Sequence, residues 1–483
     1  MKRISSSLIH YYVHLFILCL FVVGIVCSKF LMSMGILFGL LHLIIEGQYK
    51  AYFMNLKSNR FFLAALIFYC LHLLGMFWSD DISYGFNDLK SKATLVVVPL
   101  IIISRPLVLR KSYRLLIGLF ILTLLVTSLI NCIVYHFYGN HFNFTDARDM
   151  SLFNSHIRYA IMIVFAIPLL YDLSLDNKRL RILFLLIGLW FLFYTFSSQV
   201  LTGIICFAAM ILAVIIYPLL LHRKYLSFMF LLASGCLICS LVYIGVKSNV
   251  TSEGLPAVNV SGVRESWENR SDFAYDGKDQ RNQDLKYTLA RFLSSKKYPN
   301  NSIGVDSLSI QEVLAIEKGM AHSAEMKGGL MGRIEGLRYQ LSHMSDPNGH
   351  SLLQRFEAWK VGFSIFKASP YIGVGTGDLK NAFTQEYITL ETKLSKKNQI
   401  RAHNTFLTSL ITFGIFGLLF FLFLLFSAGS IQIQNHNLSG FIFWTIMLAT
   451  FLFEDTLETQ TGITMFAFFI ALFSLPIPRP SMD

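Results

Sequence analysis

Apolar runs of near membrane-crossing length recur along almost the whole chain. They fall near residues 8–27, 30–46, 61–78, 93–104, 115–137, 155–172, 181–198, 201–221, 225–246, 402–427, 437–453 and 460–477. Twelve such runs predict an all-α polytopic membrane protein, because a helix satisfies its own backbone polar groups in hydrocarbon. The fourth run, 93–104, is the shortest. One long polar stretch interrupts the series. The chain therefore divides into residues 1–246 with spans 1 to 9, a loop domain over 247–401, and residues 402–483 with spans 10 to 12.

Within the polar stretch the pattern changes several times. Ser252-Glu253-Gly254, Asn269 and Tyr298-Pro299-Asn300-Asn301 mark an irregular first part. Ser309 to Leu341 reads as helical, interrupted at Gly328 and Gly329. Residues 351–367 form a better amphipathic helix, with Leu352, Phe356, Trp359, Phe363 and Phe366 as its apolar stripe. Ser369-Pro370 and the glycines at 373, 375 and 377 stop it. That glycine cluster follows no strand, so it reads as a tight turn and not as a nucleotide-binding loop.

Composition agrees with the span pattern. Of 483 residues, 54% are hydrophobic and 14% charged, against about 25% charged in soluble proteins. The net charge of +12 does not point to nucleic acid, because many basic residues sit in short loops between spans. Lys2 and Arg3, then Lys50, Lys57 and Arg60, then Arg105, Arg110, Lys111 and Arg114, then Lys178, Arg179 and Arg181, then Arg223 and Lys224 occupy every second connection. By the positive-inside rule these are cytoplasmic, with both termini inside. The opposite loops carry Asp80, Asp81 and Asp88, then Asp146, Arg148 and Asp149, then Glu454, Asp455 and Glu458, with Lys29, Lys90 and Lys92 as exceptions. The loop domain then falls outside. The N-terminus resembles a signal peptide but shows no convincing cleavage site, and reads as the first span. All seven cysteines lie in apolar segments, so no disulfide framework is implied. Cys236 and Cys239 lack a second pair for zinc.

The span interiors are almost free of ionisable residues, which argues against a transporter. The polar chemistry gathers at the outer face instead. Arg401, His403 and Asn404 stand at the mouth of span 10. On a helix His403, Leu407, Leu410, Gly414 and Gly417 share one face, with the second glycine ~21 Å below the histidine. The two glycines would let a neighbouring helix approach closely, while His403 stays at the water boundary as a proton acceptor. Arg355 lies on the preceding amphipathic helix, His156 and Arg158 begin span 6, and Glu454 and Glu458 follow span 11. The charged residues have ordinary alternatives: snorkelling or pairing with lipid phosphate for Arg158, a solvated helix face for Arg355, and a solvated turn or ion pair for the acids. Asp80-Asp81 reads as a polar turn, or as a pair able to hold a divalent metal.

These residues resemble a known family, the O-antigen ligase and polymerase superfamily. His403-Asn404, nine residues, Gly414, two residues and Gly417 are similar to the ligase signature. Arg355, Trp359 and the run Pro370-Tyr371-Ile372-Gly373-Val374-Gly375 resemble the segment preceding it, and Glu454 to Glu458 with Gly462 resemble the acidic turn between the last two spans. The resemblance implies a GT-C-like helical fold with a large, mostly helical periplasmic loop between helices 9 and 10, in a bacterial inner membrane. It implies transfer of a glycan from undecaprenyl diphosphate to an acceptor hydroxyl, on lipid A-core for a ligase, with the active site periplasmic. It implies no metal and no other cofactor. A polymerase or a protein-glycosylating relative uses the same chemistry; a lipid-linked glycan flippase is the alternative of another class. Histidine suits the base that activates the hydroxyl, and direct attack inverts the anomeric carbon. Arg355 is the arginine carried over for the diphosphate; Arg401 and Arg158 join it from their place in the sequence or at the outer face. Asn404, Gly414, Gly417, Glu454 and Glu458 are motif positions. One departure stands out: ligases usually carry an arginine near the turn joining spans 7 and 8, where this chain has Gln199.

Overall fold

The computed structural model describes residues 6–107, 109–139, 141–142, 144, 147–223, 262–280, 283–323, 326 and 351–476. The span expected at 225–246, with Cys236 and Cys239, lies outside them, as does most of 324–341. The chain forms two compact units. The first comprises Met1–Phe228, Ala358–Leu390 and Arg401–Asp483; the second comprises Met229–Glu357 and Glu391–Ile400.

The first unit begins with α1 (Ser6–Cys27), α2 (Lys29–Glu46), a short α3 (Tyr49–Ser58), α4 (Arg60–Leu74), α5 (Ile82–Ser104), α6 (Arg110–Tyr138), α7 (His156–Asp176), α8 (Arg181–Ser197) and α9 (Leu201–Leu221). Among the described residues eight helices are long and apolar enough to cross a membrane. The molecule is thus a multi-pass helical membrane protein. The short fourth span is the first difference from expectation. It begins at Ile82, where the Asp81 carboxylate caps α5 by accepting from the Tyr84 N–H at 2.9 Å. Asp80 and Asp81 are therefore a helix start, and the Asp378 carboxylate accepts from both of their backbone N–H groups at 2.8 and 2.9 Å. Asp88 and Lys92 consequently ride on a helix instead of a loop.

In the second unit, α10 (Val263–Glu268), α11 (Leu285–Ser295), α12 (Ser302–Asp306) and α13 (Ile310–Glu317) enclose a core that includes Trp267, Leu285, Leu289, Phe292, Val305 and Ile316. Ser309 and Glu312 form a reciprocal capping box at the start of α13. The helix stops at Glu317 and the chain turns at Gly319, whose φ is +79°. The expected continuous helix from Ser309 is thus broken about ten residues early, by a glycine in the left-handed region.

Next comes α14 (Ser351–Ala368). Its buried positions include Leu353, Ala358, Val361 and Ile365, while Phe363 is exposed, so the buried stripe is rotated from the predicted one. Trp359 is held by an indole N–H donating to the Ala402 carbonyl at 2.7 Å. The first unit closes with α15 (Leu379–Thr389), α16 (Thr405–Gln434), α17 (Leu438–Phe451) and α18 (Gln460–Ser474). Every residue from Thr461 to Ser474 is buried. Phe466, Phe468 and Phe469 of α18 meet Phe61, Phe21 and Phe120 at ring separations of 5.9, 5.9 and 5.0 Å. In lipid such packing gains dispersion contacts and little hydrophobic driving force.

Gly414 and Gly417 of α16 do something other than admit a neighbouring helix. The helix breaks at Phe413 and Gly414, and Gly414 has φ +63° and ψ −153°, a region open to glycine alone. The break strands backbone groups at membrane depth, where they must be satisfied by protein. The Pro370–Gly377 turn does this: Ile415 N–H donates to the Pro370 carbonyl at 2.9 Å, while Val374 and Gly375 N–H donate to the Ile411 and Thr412 carbonyls at 3.0 and 2.9 Å. A Cβ on Gly373 or Gly414 would collide with the backbone opposite, and one on Gly417 with the Ser409 carbonyl of its own helix. Gly414→Ala should therefore destabilise the detergent-solubilised protein by at least ~1–3 kcal/mol, read as a lowered thermal midpoint; an unchanged midpoint would show that the break is not needed.

Candidate active site

The residues at the head of α16 take their positions from its cap. Asn404 is extended, and its side chain accepts from the Leu407 N–H at 3.0 Å. Just before it, His403 adopts φ +44°, an uncommon left-handed conformation that histidine tolerates better than most residues. Ala402 is fully buried and holds the Trp359 indole. The strand of chain entering α16 is thus pinned on both sides of His403.

The turn between α17 and α18 lies against this segment. Thr405 Oγ1 donates to the Glu454 carbonyl at 3.1 Å. His403 Nδ1 faces Asp455 Oδ2 at 3.5 Å, within ion-pair range but slightly long for a hydrogen bond. Nδ1 is buried while about a third of the side chain is exposed, so the ring presents its other edge, carrying Nε2, outward. A carboxylate beside Nδ1 selects the tautomer with hydrogen there and leaves Nε2 as the acceptor.

Two arginines converge on the same turn. Arg401 donates to Glu458 Oε2 at 3.4 Å and to Tyr84 Oη at 3.2 Å, and lies 3.8 Å from Asp455 Oδ2. Arg158, 9% exposed, donates to the Asp455 carbonyl at 3.4 Å. Its burial rules out snorkelling. Glu454, Asp455 and Thr456 are themselves buried, so the acidic turn is packed structure and not a solvated loop. Arg355 stands on the first two turns of α14, in the second unit. Gln199 takes φ +52° in the tight turn between α8 and α9.

Lys92, Asp88 and Tyr84 complete the cluster, and sequence reasoning did not select them. They repeat every four residues on α5 and so share a face, a spacing that was available to find. The Lys92 ammonium donates to Asp88 Oδ1 and to the Leu457 carbonyl, each at 3.3 Å, and to Glu458 at close range. All three of its donors are used. Beneath lies a cavity of about 20 Å³, lined by His72, Tyr84, Lys92, Thr408, Ser409 and Glu458 among others. It has room for one water.

Charge balance sets the protonation of the turn. Burial alone would push the Glu458 carboxyl up, but Lys92 and then Arg401 overcome it and hold it at about 2. Burial raises the Asp455 carboxyl against the opposing pull of Arg401 and His403; neither of its oxygens has a hydrogen bond. Burial also opposes the charge of Arg401, and Glu458 and Asp455 more than compensate, raising it. Glu458 is thus a permanent anion between two cations, whereas Asp455 is poised to accept charge from an imidazole. Among the described residues no group of histidines, cysteines and acids is arranged to hold a metal ion.

The arrangement offers a base backed by a carboxylate, with a partly exposed guanidinium beside it. Residues 183–422 match the family model described as O-antigen ligase. No curated protein matches the chain.

Proposed function

The chain belongs to the O-antigen ligase superfamily, and from that premise we propose that it transfers a glycan from undecaprenyl diphosphate to an acceptor hydroxyl, with lipid A-core as the acceptor. The observation that carries this reading is the pairing of His403 with Asp455, on a turn that Arg401 and Arg158 also grip. His403 Nε2 takes the proton from the acceptor hydroxyl as its oxygen attacks the anomeric carbon. Asp455 stabilises the imidazolium that forms. The bond to the diphosphate oxygen breaks with inversion, and the departing undecaprenyl diphosphate leaves as an anion. Arginine donors stabilise its developing charge, so no general acid is required.

In this reading Arg401 offers the diphosphate its exposed edge, and Arg158 holds the Asp455 turn in place. Arg355 is assigned to the donor from its match to the family motif. Arg355→Ala should lower transfer at least about tenfold, the cost of a lost charge-assisted hydrogen bond, with partial recovery in Arg355→Lys if a point charge suffices. Unchanged transfer would remove Arg355 from the site. The membrane is the bacterial inner membrane, with the His403 end of the spans periplasmic and both termini cytoplasmic.

A knockout whose glycolipids are resolved on a gel tests the function itself. Accumulation of long glycan not attached to lipid A-core supports a ligase. Single attached repeats would instead make the protein a polymerase, and an unchanged profile would contradict glycan transfer.

A further inference from the structure

The opposite end of the first unit carries a second cavity. From Lys92 to Arg105 α5 advances ~20 Å, away from the His403 cluster. There the start of α1, the α2–α3 turn, α3 itself and the end of α5 surround a cavity of about 470 Å³ that opens outward. That volume is in the range of small-molecule sites. Its lining mixes polar tips with apolar walls: Ser7, Tyr11, Gln48, Tyr52, Arg105 and Leu109 all contribute.

The polar tips are already fixed in place. Tyr11 donates to Ser112 Oγ and Tyr52 to Glu46 Oε2, both at 2.7 Å. Arg105 pairs with Glu46 and donates from Nη2 to the Ser7 carbonyl at 3.2 Å, while its buried Nε–H has no acceptor. The surrounding charge is one-sided. Over residues 44–60 and 104–114, Glu46 is the one acid, against basic residues that include Lys50, Lys57, Arg110, Lys111 and Arg114.

A separate observation identifies the medium. On α3, Tyr49, Phe53 and Met54 are 60–65% exposed, while Tyr52 turns inward and is buried. Lys50 and Lys57 on the same short helix are exposed as well. A helix that shows aromatic and thioether side chains together with lysines fits the boundary between lipid headgroups and acyl chains. Basic pockets between spans on the cytoplasmic side suit anionic headgroups.

We propose that this cavity holds the headgroup of an anionic phospholipid from the leaflet in which α3 lies. The phosphate takes the Ser7 hydroxyl and the Arg105 N–H groups not used by Glu46 and the Ser7 carbonyl, and the acyl chains run along the exposed side chains of α3. Under the orientation given above this is the cytoplasmic leaflet, so the site is independent of the glycan chemistry at the other end.

Native mass spectrometry of the full-length protein in detergent tests it, with dioleoylphosphatidylglycerol, dioleoylphosphatidylcholine and inorganic phosphate as probes. The wild type should retain phosphatidylglycerol at least tenfold more than phosphatidylcholine. Arg105→Gln should abolish the preference. Ala51→Trp, which fills the cavity and leaves the Arg105–Glu46 pair intact, should abolish it too. His403→Ala should retain the wild-type preference, which separates this site from the proposed catalytic one. Equal retention of both lipids by the wild type, or an unchanged preference in Ala51→Trp, overturns the proposal. Displacement of the lipid by millimolar inorganic phosphate also overturns it, by making the cavity a free-phosphate site.

Discussion

Glycan transfer should fall by about 10²–10⁴-fold in His403→Ala, the range expected when a general base is removed, while the protein should still insert and fold. The structure separates the two effects. His403 is about one-third exposed and its Nδ1 has no hydrogen bond, so truncating it strands no firmly held partner except the Asp455 carboxylate. The cap of α16 depends on Asn404, and the approach to it depends on the Trp359–Ala402 contact. The variant should therefore reach wild-type abundance in membranes and keep its thermal midpoint within a few degrees. Full transfer at matched abundance would end the assignment of His403 as the base.

The second large effect is on stability. Lys92→Met removes the ammonium that holds Asp88, Glu458 and the Leu457 carbonyl. It breaks the ion pair to Asp88 and leaves the buried Glu458 carboxylate with Arg401 alone at 3.4 Å, a change that costs up to about 3–5 kcal/mol. The expected outcome is a lowered thermal midpoint and poor recovery from membranes. Adding Glu458→Gln to Lys92→Met should restore part of the loss, because it removes a buried charge that Arg401 alone compensates less well; the two changes should be non-additive. If Lys92→Met is as stable as the wild type, Lys92 does not hold the turn together. Where the variant is recoverable, Glu458 is free to draw Arg401 closer, and transfer should fall with it.

Much of the fold could be read from hydropathy, and the exceptions share a cause. The eight apolar crossings stand where long uncharged runs stand. The start of α5 is hidden because Asp88, Lys90 and Lys92 interrupt its apolar pattern, and the burial of Lys92 depends on Glu458, 366 residues further on. The break in α16 was hidden for a related reason. Spacing alone makes Gly414 and Gly417 a packing face, and only the Pro370–Gly377 turn reveals that Gly414 is needed for its backbone angles. The pattern at 351–367 predicts the amphipathic helix, but its buried stripe is rotated from the predicted one, with the large aromatic Phe363 exposed.

The candidate site divides in the same way. His403, Arg401, Arg158, Glu454 and Glu458 were selected from motif and position, and the structure gathers them around one turn. Asp455 lies between Glu454 and Glu458, yet no motif position marks it. Its role depends on which way a side chain points inside a buried turn, and no periodicity reports that. Tyr84, Asp88 and Lys92 were legible as an every-four-residue set, yet they had no reason to be chosen until their helix was known to begin at Ile82.

With His403 as the base, glycan transfer from a lipid diphosphate should depend on its imidazole. The most direct measurement follows the release of undecaprenyl diphosphate from a defined lipid-linked glycan by purified protein, in the presence of acceptor. The wild type should release it in step with the appearance of glycosylated acceptor, and His403→Ala at equal concentration should release almost none. Equal release by the two proteins, with equal glycosylated acceptor, would contradict the account.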